Sequence, residues 1–88
     1  MIGGAAMPGV LRAAFRGYDR AEVIRRIDTL NVLLMGLEEG LITKEEALEQ
    51  SEEAVSSPIK TVFSGFNKED TDSYVAELRE RILYWTSK

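Results

Sequence analysis

The stretch FRGYD at residues 15–19 returns as FSGFN at residues 63–67, an offset of 48 positions. Behind each copy the apolar residues keep the same phase. After the first, Val23, Ile27, Leu30, Leu34 and Leu37 step by 4, 3, 4 and 3; after the second, Thr71, Val75, Leu78, Ile82 and Trp85 step identically. That spacing is the seam of a coiled coil, in which apolar residues every 3.5 positions line one helix face. Two copies of a loop followed by a helix, in one short chain, leave few ways to fold.

Helix-end signals divide the rest. Asp19 is placed to cap a helix over 20–39, and Gly40 to end it in the left-handed conformation that glycine adopts without a steric penalty. Thr43 and Glu46 have capping-box spacing, with Ile42 placed to staple onto Ala47, which predicts a second helix over 44–55. Ser56, Ser57 and Pro58 break it, and Asn67 repeats the role of Asp19 ahead of a third helix over 68–85. No segment reads as a strand. The expected fold class is therefore all-α: a single domain over 1–88, built as a three-helix up-down-up bundle with parallel, coiled-coil-like outer helices. Its parts are repeat 1 at 15–39, a connecting helix at 43–55 and repeat 2 at 58–86.

Lengths permit this arrangement. A first helix of roughly 20 residues is about 30 Å long, a return helix of about 12 covers about 18 Å, and the extended residues that follow span the rest at roughly 3.3 Å each. Helix pairing falls to Val23, Ile27, Leu30 and Leu34 against Thr71, Val75, Leu78 and Ile82. The polar Thr71 is the weak point of that seam. The middle helix has only Ala47, Leu48, Ala54 and Val55 with which to dock.

Composition narrows the function classes. The 88 residues contain no cysteine and no histidine, so disulfides, the usual zinc ligands and the commonest general base are all missing. No glycine-rich phosphate loop is present either. A catalyst is not expected, nor a cofactor, nor a metal. Net charge is -4 and unevenly spread: residues 1–35 sum to +2, residues 36–59 to -6 and the remainder to zero. A nucleic-acid binder would normally be basic overall, so no nucleic acid is expected. No run reaches the length of a membrane span, and MIGGAAMPG lacks the charged start and apolar core of a signal peptide. The expected location is cytoplasmic.

The two copies resemble the amino-terminal domain of the DivIVA/GpsB family of bacterial cell-division and polar-growth proteins. That pattern runs aromatic, Gly-Tyr-Asp, two variable residues, Glu-Val-Asp, one residue, Phe-Leu-Asp. FRGYDRAEVIRRIDTL and FSGFNKEDTDSYVAEL follow it over roughly 40 of the 88 residues, with Phe66 for the tyrosine and Tyr74 in the Phe-Leu position. Each copy lacks one acidic residue: Ile24 stands after the valine of the first, and Ala76 stands where the first has Asp28.

The resemblance implies a non-catalytic scaffold or adaptor of cell division or polar growth, folded as two DivIVA-like heads in one chain, a monomeric pseudo-dimer. Homo-oligomers remain open. It implies a tip of Phe15, Arg16 and Phe63 that contacts an anionic membrane weakly, or a membrane protein, at the inner face of the membrane at septum or pole. It also implies a groove of Tyr18, Asp28, Phe66 and Asp72 that takes basic tails of a cell-wall or cell-division partner, with Asp28 and Asp72 combining across the helix pair. Read without the resemblance, Phe15 and Phe63 are most simply core plugs at the mouth of a small bundle. Gly17 and Gly65 are then turn residues, Tyr18, Phe66 and Tyr74 half-buried packing, and Trp85 either the last seam residue or an exposed end. The alternative function is a plain helical oligomerisation or regulatory, antitoxin-like protein with no membrane role.

Overall fold

The computed structural model describes residues 11–88; the MIGGAAMPG stretch lies outside the described residues. The order is β1 (Ala13–Tyr18), α1 (Arg20–Glu38), α2 (Lys44–Ser56), β2 (Thr61–Phe66) and α3 (Lys68–Thr86). The all-α class expected from the sequence is overturned by β1 and β2, which pair with each other and make the fold mixed α/β. Neither AAFRGY nor TVFSGF has the apolar-polar alternation of a half-buried strand. Their backbone groups become strand only because each repeat supplies the other's partner.

The register defines an unusual sheet. Ala13, Ala14 and Phe15 face Phe66, Gly65 and Ser64; Gly17 and Tyr18 face Val62 and Thr61; and Tyr18 also faces Phe66. Partner numbers run oppositely in the two flanking sets, while the strands meet in parallel at Tyr18 and Phe66. Phe66 thus lies between the two ends of β1, and Tyr18 between the two ends of β2. A straight six-residue strand spans about 17 Å, whereas two strand spacings are about 10 Å, so each strand must bend at its middle. At the bend of β1, Arg16 has φ 64°, a left-handed conformation uncommon outside glycine. The outcome is two interlocked loops. Asp19 N donates to Lys60 O at 2.9 Å and Asn67 N to Arg12 O at 2.7 Å, related bonds that continue the flanks.

Each helix begins with a cap that the sequence encodes. Asp19 accepts from Glu22 N at 3.0 Å and Asn67 from Asp70 N at 2.9 Å, while Thr43 and Glu46 form a complete capping box. Beyond the Glu39 cap of α1 stands Gly40, φ 72°, where Leu41 N reaches Gly36 O and Gly40 N reaches Leu37 O. α2 runs against α1 and α3. Arg26 Nη2 in the second turn of α1 donates to Ser57 O at the end of α2, and Lys44 Nζ at its start donates to Lys88 O beyond α3.

The core lies among the three helices: Val23, Ile27, Leu30, Leu33, Leu34, Ala47, Tyr74, Leu78 and Ile82. It is wider than a two-helix seam. Val75 is half-buried, whereas Leu33 and Tyr74, outside the heptad positions, are buried because α2 gives each outer helix a second neighbour. Trp85 and Leu37 are half-buried against this core. Thr71 is 1% exposed and its hydroxyl donates to Asn67 O at 2.9 Å, so the polar seam position is satisfied. Ser51 does the same on α2, donating to Leu48 O at 3.0 Å. Ala47 and Ser51 are the buried residues of α2, and small side chains let a sparsely apolar helix dock closely.

Candidate functional site

The bends of β1 and β2 form one tip. Phe15 and Phe63 are 70% and 74% exposed, and their rings meet edge to face with centroids 4.5 Å apart. They are therefore not core plugs, contrary to the simplest reading of the sequence. At Gly17 and Gly65 the two backbones approach so closely that even a Cβ would clash, and the rings lie outside this crossing. Arg16, exposed at the bend, has no ion-pair partner among the described residues.

Behind the tip the two repeats clasp each other reciprocally. The Arg20 guanidinium lies 5.0 Å from the centroid of Phe66, and the Lys68 ammonium lies 5.4 Å from that of Tyr18. Each basic residue follows its own helix cap and covers the other repeat's aromatic ring, a contact of about 0.5–1 kcal/mol at an exposed site. Arg12 and Asp70 form a two-pronged ion pair, with Nε 2.8 Å from Oδ2 and Nη2 3.0 Å from Oδ1. The hydrogen bonds from Arg12 hold the Asp70 carboxyl below its ordinary range, and the same contact raises the Arg12 guanidinium. Lys60 approaches Asp19 at 3.8 Å.

Of the expected groove residues, Tyr18 and Asp72 come together and the others do not. Tyr18 Oη donates to Asp72 Oδ1 at 3.2 Å. Burial, then the Asp72 charge and this hydrogen bond, push the Tyr18 phenol upward, so it remains a donor through the neutral range. Phe66 is turned to Arg20 on the other side of the crossing. Asp28 lines a different concavity, with Arg25, Thr29 and Gln50, whereas Asp72 lines the groove with Tyr18. The expected union of Asp28 and Asp72 across the helix pair is therefore absent. The reason is geometric: α2 occupies one side of α1 and segregates the two carboxylates.

That groove has a cavity volume of about 480 Å³ and also contains Arg26 and Arg79, which sequence reasoning did not single out, and the 55–59 segment, which it read only as the end of the connecting helix and the break after it. A signal existed within α3. Asp72, Val75, Ala76 and Arg79 recur at helical spacing and so share one face. The opposite wall, from the end of α2, could not be read from spacing.

Among the described residues, no helix is long and apolar enough to cross a membrane. No family model, curated protein or solved structure matches the chain.

Proposed function

We propose that this chain is a non-catalytic scaffold or adaptor module of bacterial cell division or polar growth, whose paired head loops dock on an anionic membrane surface or on a membrane protein. The observation that carries this reading is the Phe15–Phe63 pair. Two large apolar rings, each more than two-thirds exposed, meet edge to face at the bend of interlocked strands beside Arg16. An isolated exposed phenylalanine needs no explanation; two brought to one point from positions 48 apart do.

At a lipid interface the rings enter the acyl boundary while Arg16 stays with the headgroups. The energy is small. One phenylalanine contributes at most about 1.5–3 kcal/mol, and a basic residue near an anionic surface about 1 kcal/mol. Arg12, Arg20 and Lys60 add less than their number implies, since Arg12 is held by Asp70, Arg20 by the Phe66 ring and Lys60 by Asp19. Stable attachment then needs several tips or a protein partner acting together.

Sedimentation with vesicles of anionic phospholipid, at low and high salt, tests the reading. Wild type is expected to co-sediment weakly at low salt and to be released at high salt. Phe15→Glu is expected to remain folded and stay in the supernatant, with Arg16→Ala intermediate. Equal partitioning of wild type and Phe15→Glu would sink the membrane role. Fluorescent fusions that stay diffuse, with no enrichment at septum or pole, would sink the division role.

A further inference from the structure

We propose that the groove between the end of α2 and α3 binds an acidic peptide segment of a partner protein. This site is separate from the Phe15–Phe63 tip and does not depend on what the tip contacts.

Charge gives the first argument. Arg26 and Arg79 both line the groove, and no carboxylate lies within ion-pair distance of either among the described residues. The acidic member, Asp72, already accepts from Tyr18 Oη. The groove lining thus carries two guanidiniums against one carboxylate in a chain that is negative overall, and the acidic Glu22 and Glu53 line the adjoining concavity on the far side of Arg26.

The state of Arg79 gives the second. Its Nε is shielded from solvent, yet no group among the described residues accepts its hydrogen bond. A desolvated guanidinium N–H without an acceptor is destabilising, and a carboxylate that meets the side chain as it turns into the groove removes that cost. Arg26 is held differently, by donation from Nη2 to Ser57 O, which fixes it at the groove wall.

The apolar lining decides between a peptide and a simple anion. Val55, Pro58, Ile59 and Val75 form walls that inorganic phosphate would not use, whereas an apolar side chain flanking a carboxylate would fill them. The volume of about 480 Å³ suits a few side chains.

The experiment is nitrogen-15 amide chemical-shift mapping on the full chain. Three probes are used: an acetylated, amidated Glu-Leu-Glu-Val-Glu peptide, its Lys-Leu-Lys-Val-Lys counterpart, and inorganic phosphate. The acidic peptide is expected to shift the amides of Ser57, Ile59, Val75 and Arg79 saturably while those of Phe15 and Phe63 stay still. Among the described residues Arg79→Gln breaks no hydrogen bond, so its melting temperature should hold while affinity falls about tenfold, the worth of one charge-assisted hydrogen bond. Asp72→Asn is expected to tighten binding. Any of four results overturns the proposal: preference for the basic peptide, unchanged affinity in Arg79→Gln, phosphate shifting the same amides equally well, or no groove shift at millimolar acidic peptide.

Discussion

Gly17 and Gly65 lie where the two strands cross, and each is in contact with the other's neighbour. A Cβ on Gly17 would stand 2.2 Å from Phe66 O, and one on Gly65 would stand 2.1 Å from Tyr18 O. The obstacle is backbone on both sides, so no rotamer change relieves it. The repeated glycine is therefore required by close approach of two chains, and not by a turn of its own.

From this comes a ranked glycine series. Gly17→Ala and Gly65→Ala should each cost about 3 kcal/mol or more, or abolish folding, because the strands must separate. Gly40→Ala meets nothing within 4 Å but sits at φ 72°, and should cost about 1–2 kcal/mol. Gly36→Ala meets only the Ile42 side chain, at 3.2 Å, and should be the mildest. Urea unfolding of the four variants measures the order.

The phenylalanine pair predicts a coupling without a large loss of stability. Both rings are mostly exposed, so Phe15→Ala and Phe63→Ala should each cost no more than about 1.5 kcal/mol. A double-mutant cycle should return about 0.5–1.5 kcal/mol for the edge-to-face contact. Additive single effects would mean that the rings do not touch in solution.

Acid stability should depend on Asp70. Its folded-state pKa is depressed by Arg12, so its contribution is fully present above the ordinary aspartate value near 3.8 and is lost as pH falls through the lower folded value. The pair is well exposed on the arginine side, 68%, so the effect is a modest one. Asp70→Asn should flatten the acid limb of a melting-temperature profile within that window, and Arg12→Ala should shift its midpoint toward the ordinary carboxylate range.

In the seam, Leu30 and Ile82 are both fully buried, so truncation to alanine should cost about 2–5 kcal/mol each. Leu83 is the neighbour of Ile82 in sequence but is 45% exposed. Leu83→Ala should cost under about 1 kcal/mol. Thermal or urea melts separate the two classes cleanly.

If the two heads of one chain satisfy each other, the protein in solution should be a monomer of 9.9 kDa. Light scattering over a range of concentrations checks this. A dimer that persists on dilution would mean that heads pair between chains as well.

The helices were legible because their signals are local. Asp19, Asn67, the Thr43–Glu46 pair and Gly40 act within one turn of their own position, and a 4-3-4-3 spacing reports one buried face whatever covers it. Even so, spacing showed only the stripe between α1 and α3. Burial of Leu33 and Tyr74 needed the position of α2, which nothing in those residues encodes.

The sequence by itself determined that a loop and a capped helix occur twice, in phase, with a short acidic helix between them. Only the tertiary structure decided what the loops become. A strand is made by its partner, and the partners of Ala13–Tyr18 lie about 48 residues away, interlocked with it rather than following it in a hairpin. That crossing expels Phe15 and Phe63 to the surface, pairs Arg20 with Phe66 and Lys68 with Tyr18, and brings Asp72 to Tyr18 while leaving Asp28 apart. Each of these contacts joins groups distant along the chain, so it follows from how the repeats close on one another and not from the order of residues within either repeat.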